Sequence, residues 1–111
     1  MSHQLLWESD NDKLATSFTL SSDDYDYLLV ITNLSTVTFT KKGKPINLYC
    51  YSRPNGCLGG AVGSWITSDN LTYNVYSCLY DFFNSGDSNH IVGAGGYIIW
   101  PTLVFGVKVK R

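Results

Sequence analysis

The chain has 111 residues, a formal net charge of −1 and 15% charged residues, and 14% of its residues are aromatic. This length predicts one domain over residues 1–111. A nearly neutral chain lacks the basic patch that binds nucleic acid, so we expect no nucleic-acid partner. No stretch approaches about 20 apolar residues, and the chain starts without a signal peptide. We therefore expect no membrane insertion, and synthesis in a cytoplasm.

Short segments with period-two alternation, or with wholly apolar character, recur along the first half of the chain and predict strands. Residues 1–4 are expected to form a flexible lead-in. The strands predicted after it cover residues 5–7, 15–20, 25–32, 37–40 and 46–51. The unbroken run Tyr27–Ile31 favours burial on both faces of a sheet. Lys41–Lys44 is typical of a solvated hairpin turn.

The second half contains more glycine and is less regular. Residues 52–60 are predicted as loop because Pro54 and several glycines interrupt them. Residues 61–67 predict a strand. The segment 71–83 begins as a strand, and its second half leaves open a helical turn over residues 78–83. The glycines of residues 93–96 predict a flexible stretch before the last strand.

The last fifteen residues form the most apolar segment, and they alternate. We predict that one parity of this strand, Leu103, Phe105, Val107 and Val109, faces the core. Gly106, on the other parity, leaves room for a bulky side chain or a neighbouring backbone. Because no window has helical periodicity, the fold predicted for the whole chain is an all-β, antiparallel β-sandwich of jelly-roll-like type.

The residues that commonly carry catalysis are sparse. The three cysteines, Cys50, Cys57 and Cys78, are an odd number without metal-binding spacing, so we interpret them as buried free thiols. The two histidines, His3 and His90, are not accompanied by the clustered ligands or activated nucleophile that a metal site or a triad requires. The acidic residues lie in predicted turns. We therefore expect no catalytic residue, no metal, no cofactor and no enzyme activity.

Aromatic residues beside polar ones are the strongest binding signal. An aromatic ring can stack on the C–H face of a sugar while polar groups bond its hydroxyls. Two groups have this character, both beside predicted turns: Tyr49, Tyr51 and Arg53, and then Trp65, Asp69, Asn70 and Tyr73. We predict these seven as ligand-binding residues. The alternative for each aromatic residue is a place in the core or in a subunit interface.

Both ends of the chain resemble the C-terminal domains of tail and baseplate proteins of phages and prophages. The resemblance is carried by Leu6-Trp7-Glu8, Phe18-Thr19-Leu20 and Tyr25-Asp26-Tyr27-Leu28 at the start, and by Ile99-Trp100-Pro101-Thr102-Leu103-Val104-Phe105-Gly106-Val107-Lys108 at the end. In that family the proline is followed by an aliphatic residue and then by aromatic-Gly-aliphatic-Lys. These motifs are framework residues and cover about half of the chain. Residues 37–90 match no pattern of the family.

This resemblance implies a β-sandwich head at the tip of a trimeric fibre or receptor-binding protein, located in the virion and made in the cytoplasm of a bacterial host. The expected partners are a host cell-surface polysaccharide and two further copies of the chain in a homotrimer. One alternative is a structural domain that caps or trimerises a fibre without a ligand of its own. Another is a fragment of a depolymerase.

Overall fold

A computed structural model of the chain describes the backbone of residues 2–52, 57–84, 90–94 and 98–109. Side chains are described for residues 2–49, 60–79 and 98–109. Over these residues the protein is an antiparallel β-sandwich of two sheets, which confirms the predicted fold class. The strands are β1 (Ser2–Glu8), β2 (Ser17–Thr19), β3 (Tyr27–Thr32), β4 (Val37–Lys41), β5 (Ile46–Ser52), β6 (Cys57–Thr67), β7 (Thr72–Asn84), β8 (His90–Ala94) and β9 (Pro101–Lys108).

The first sheet has four strands in the order β1-β9-β3-β4. Its centre is the pair β3 and β9, in which Leu29 is the backbone partner of Phe105. On the edges, β1 pairs with β9 and β4 pairs with β3. The first and last strands of the chain are therefore neighbours.

The second sheet has the order β2-β7-β6-β5, and β8 pairs with β7 beyond the short β2. The long hairpin of β6 and β7 forms its centre. A β-bulge interrupts this hairpin, because Ser64 is paired with Ser77 while Trp65 is paired with Val75. Tyr76 is thus the extra residue on β7. The chain passes from the first sheet to the second through the Lys41–Lys44 turn, where Lys44 N donates to Lys41 O at 3.1 Å.

Among the described side chains, the core lies between the sheets and is formed by one parity of the strands, as period two requires, together with a few residues that flank them. Its members are Leu6, Phe18, Leu20, Tyr25, Leu28, Val30, Ile46, Leu48, Ala61, Trp65, Tyr73, Cys78, Ile99 and Val104. Phe18 links the two layers, since its ring stacks on Trp7 at 4.7 Å and on Tyr73 at 5.5 Å between centroids. Trp65 Nε1 donates to Ala15 O at 3.2 Å, which satisfies the polar atom of a fully buried indole.

The structure corrects four local predictions. Residues 2–4, expected as a lead-in, belong to β1 and pair with residues 106–108 of β9. Residues 57–60, expected as loop, begin β6, and residues 78–83 continue β7 without a helical turn. Residues 93 and 94 belong to β8, although glycine suggested a flexible stretch. In each case a neighbouring strand supplies backbone hydrogen bonds that outweigh the weak local preference.

The orientation of β9 is also opposite to the prediction. Val104 is fully buried and Thr102 is buried, whereas Leu103 and Phe105 are only half-buried. Of the other residues predicted to face the core, Val107 is buried outside the core cluster and Val109 is exposed. The parity that contains Gly106 therefore faces the core. There it accommodates a bulky side chain, as predicted, because a Cβ at this position would lie 2.5 Å from Leu6 Cδ1. The unbroken apolar run in β3 is also divided between the two sides of the sheet: Leu28 and Val30 are in the core, and Leu29 lies on the outer side.

Candidate functional site

The described side chains on the outer side of the five-stranded sheet are uncharged, mostly polar and partly aromatic, and we call this surface the polar face. Pairing register and burial place on it Ser17, Thr19, Asn47, Tyr49, Val62, Ser64, Ile66, Thr72, Asn74, Tyr76, Ser77 and Leu79. None of these side chains carries a charge. A surface with this composition can bind a neutral polyhydroxylated ligand without desolvating an ion.

Two tyrosines project from the polar face. Tyr49 is 62% exposed and Tyr76 is 71% exposed. Tyr49 lies in β5, in one row with Val62 and Leu79. Tyr76 is the bulged residue of β7, and a bulge commonly re-aims a side chain at a functional surface. Tyr49 and Tyr76 lie on strands about 10 Å apart, at two spacings of about 4.8 Å each.

The polar residues beside the tyrosines are held by hydrogen bonds across the strands. Ser64 Oγ donates to Asn47 Oδ1 at 2.8 Å, and Ser17 Oγ donates to Asn74 Oδ1 at 3.0 Å. Each asparagine keeps its amide N–H groups, and each serine oxygen keeps its lone pairs. The surface therefore offers donors and acceptors whose positions are fixed before a ligand arrives.

Of the seven residues predicted from the sequence, the structure places Tyr49 on the polar face. Trp65 and Tyr73 are both 0% exposed and lie in the core, which was the alternative for these aromatics. With this burial neither ring is available to a ligand. Tyr51 lies in β5 with only its backbone described, and Arg53 lies outside the described residues.

Asp69 and Asn70 form the turn between β6 and β7. Asp69 Oδ1 accepts hydrogen bonds from Thr72 N at 2.8 Å, Leu71 N at 2.9 Å and Thr67 Oγ1 at 3.0 Å. These bonds, led by the one from Thr72, lower the pKa of the Asp69 carboxyl. Asn70 has a φ of 67°, and its carbonyl accepts the Tyr25 hydroxyl at 2.6 Å. Both residues are thus engaged in shaping the turn.

Sequence reasoning missed Tyr76, although it identified the neighbouring Tyr73. The two residues are three apart, so a regular strand would place them on opposite faces. No residue of the segment marks the bulge in advance, because the extra residue is defined only by the pairing with β6. The uncharged alternation of Ser17, Thr19, Thr72 and Asn74 with apolar neighbours is the signal that could have located the polar face.

The outer side of the four-stranded sheet has the opposite character, and we call it the apolar face. Its side chains are His3, Leu5, Glu8, Tyr27, Leu29, Ile31, Val37, Phe39, Lys41, Leu103, Phe105 and Val107. A depression of about 230 Å³ on it is lined by His3, Leu29, Phe39 and Val107. Tyr27 and Phe39 stack with ring centroids 4.9 Å apart.

A third surface feature is the acidic loop Glu8–Asp12, which lines a shallow depression of about 440 Å³. Ser9 Oγ there is buried without a hydrogen-bond partner among the described residues. Across the described ranges of the chain, no group of three or more His, Cys, Asp or Glu side chains is placed to hold a metal ion. Cys78 is a buried free thiol, and burial raises its pKa, which is the reverse of nucleophile activation.

No protein-family model, curated protein sequence or solved structure matches the chain. The described part of the chain contains no helix with the length and apolar character needed to span a membrane. The class of protein defined by the fold is thus an antiparallel β-sandwich with one polar and one apolar outer face.

Proposed function

We propose that the protein is a non-enzymatic adhesion domain whose polar face binds a host cell-surface polysaccharide. The observation that carries this proposal is the pair of exposed rings, Tyr49 and Tyr76, on a surface of uncharged hydroxyl and amide groups. Each ring can cover the C–H face of one sugar. Their strands are about 10 Å apart and Tyr76 is displaced along the sheet from the row of Tyr49, so the two rings can contact separate parts of an extended glycan chain.

The described side chains of the polar face carry no charge, which favours one chemical class of ligand. An acidic polysaccharide needs Lys or Arg for its carboxylates or phosphates, and a basic ligand needs carboxylates. Neither a basic nor an acidic residue is among the twelve side chains described on this face. We therefore propose a neutral polysaccharide.

The resemblance of the two chain ends to phage tail and baseplate domains suggests where this binding takes place. On this proposal the domain is part of a virion tail tip, is made in the bacterial host cytoplasm and attaches the particle to the host envelope. The homotrimer that the resemblance implies stays a prediction, and glycan binding through the polar face does not depend on the number of copies.

The proposal is tested by measuring binding to neutral wall glycans and to envelope fractions of candidate hosts. We expect Tyr49→Ala and Tyr76→Ala each to weaken binding about tenfold, which corresponds to about 1.4 kcal/mol per ring. Leu34→Ala is the matched control, because Leu34 is an exposed apolar residue in the turn after β3, away from the polar face. Unchanged binding by both tyrosine variants, or no binding to any envelope fraction, would refute the proposal.

The non-enzymatic part has its own test. A depolymerase fragment would release reducing sugar ends from a glycan that it binds. We expect no release after long incubation with any glycan that the domain retains. Steady release that is lost in Tyr49→Ala would make the domain a hydrolase and end the adhesion proposal.

The second candidate function is a structural domain that caps or joins a fibre without its own ligand. The apolar face favours it, since Phe39 is 55% exposed and Val37 is 62% exposed on a folded domain. Replacing Tyr49 and Tyr76 separates the two functions. Under the structural alternative these replacements leave attachment unchanged, whereas under the adhesion proposal attachment falls while assembly persists.

A further inference from the structure

The apolar face is a regular grid of three rows across four strands. Backbone pairing places in the middle row, from β1 to β4, Leu5, Phe105, Leu29 and Phe39. The row on one side reads Glu8, Leu103, Ile31 and Val37, and the row on the other side reads His3, Val107, Tyr27 and Lys41. Nine of these twelve side chains are aliphatic or aromatic. Of these nine, Val107 is buried and the other eight are half-buried or exposed. Such a continuous apolar patch on a folded domain indicates a surface that is covered by something.

The two charged residues of the grid occupy opposite corners. Glu8 lies on the β1 edge in the first row, and Lys41 lies on the β4 edge in the last row. Both are exposed, and neither forms an ion pair with another described residue. The face therefore carries one negative and one positive group on a single diagonal, with apolar side chains between them.

We infer that this face packs against the same face of a second copy of the chain. A twofold axis through the centre of the grid, lying parallel to the sheets and across the Glu8–Lys41 diagonal, superimposes opposite corners. Each Glu8 then meets Lys41 of the other copy, so two ion pairs flank an apolar centre. Twofold interfaces are self-complementary in this way, because each contact occurs twice.

The dimensions of the grid define how the two sheets cross. Four strands at about 4.8 Å and four residue steps at about 3.4 Å make it nearly square, about 14 Å on each side. The diagonal therefore runs at about 45° to the strands, and the twofold axis makes the strands of the two copies cross near 90°. Orthogonal packing is one of the two preferred arrangements of stacked sheets.

This arrangement has two copies, whereas the resemblance of the chain ends predicts three. It also leaves the polar face of each copy free, so it is independent of the proposed glycan binding. The mass of the full chain in solution, measured by light scattering and by sedimentation over the micromolar range, decides the number of copies. We expect a dimer in reversible exchange with monomer. A monomer throughout this range, or a trimer, would overturn the inference.

Two sets of variants test the face itself. We expect Phe39→Glu to shift the dissociation constant upward at least a hundredfold, because it places a charge in the apolar centre. Tyr76→Glu, at a similarly exposed ring on the other sheet, is the matched control and leaves dimerisation unchanged. Circular dichroism checks that both variants fold. If the two variants have equal effects on the dimer, the apolar face is not the interface.

The charge-swap set tests the diagonal. We expect Glu8→Lys and Lys41→Glu each to weaken the dimer about tenfold by placing like charges together. The double variant restores affinity close to that of the wild type, because the two pairs are re-formed with reversed sign. A double variant that is as weak as the product of the single effects would refute this geometry.

Discussion

Replacing Gly106 by alanine tests how closely β9 packs under the rest of the core. A Cβ on this residue would lie 2.5 Å from Leu6 Cδ1 and 3.1 Å from both Leu6 Cγ and Tyr25 Cβ. The Leu6 side chain can rotate, but Tyr25 Cβ is fixed to its backbone. Overpacking of a dense core costs about 1–3 kcal/mol. We expect Gly106→Ala to lower the free energy of unfolding by about 2 kcal/mol.

A double-mutant cycle identifies the cause of this loss. Leu6→Ala alone leaves a cavity and costs about 2–5 kcal/mol. If the clash with Leu6 is responsible, the new methyl group of Gly106→Ala fills part of that cavity. The double variant is then more stable than the sum of the single effects implies, by about 1–2 kcal/mol.

Urea unfolding followed by tryptophan fluorescence measures all four proteins. The buried Trp65 and the half-buried Trp7 and Trp100 report the opening of the core. Equal slopes against urea show that the same surface is exposed in each case. Strict additivity, or a Gly106→Ala variant as stable as the wild type, would refute the close approach of Leu6 to β9.

Three further outcomes follow from the described contacts. Burial raises the pKa of the Tyr25 and Tyr73 hydroxyls, because it disfavours the charged phenolate in the folded state. Their contribution to the free energy of unfolding should therefore be constant below about pH 10 and fall above it, by about 1.4 kcal/mol per pH unit for each tyrosine. Tyr73→Phe should make this fall less steep in unfolding measured between about pH 9 and 11. Asp69→Ala should destabilise the β6–β7 turn at neutral pH, because it removes the hydrogen bonds that lower the carboxyl pKa. Since the ionised carboxylate stabilises the fold and the protonated one does not, the variant should also lose less stability on acidification than the wild type. Asn33→Ala should cost about 1–3 kcal/mol in thermal unfolding, since it removes the bond from Nδ2 to Ile98 O and the one that Trp100 N donates to Oδ1.

Most of the strands could be predicted from the sequence because alternation and β-branched residues are local signals. β3 and β4 were predicted to within two residues of their ends. β8 could not be predicted, because only Ile91 and Val92 in it have strong strand preference, a run too short to define a strand, and the pairing with β7 is a tertiary contact. The extension of β6 back to Cys57 has the same origin.

The sequence could not predict which side of β9 faces the core, for a different reason. Period two tells which residues share a face, but it does not tell which face meets the other sheet. Here both parities are largely apolar, and the bulkier one, with Leu103 and Phe105, lies outside. Gly106 was the better guide, since a missing side chain marks the side where a neighbour approaches closely.

The candidate site was predicted only in part. Aromatic content indicated a binding surface, and Tyr49 is on it, but Trp65 and Tyr73 are core residues. The immediate neighbours do not tell the two cases apart: the buried Tyr73 lies between Thr72 and Asn74, whereas the exposed Tyr49 lies between Leu48 and Cys50. What separates them is the parity that faces the other sheet, and this is known only once the two sheets are packed together.

The pairing of β1 with β9 has a practical consequence for protein engineering. Ser2 and Lys108 are backbone partners on adjacent antiparallel strands, so their Cα atoms are about 5 Å apart. A linker of a few glycines can bridge this gap, and the chain can be reopened at the Lys41–Lys44 turn. The resulting circular permutant would keep every strand of both sheets while its new ends emerge between β4 and β5.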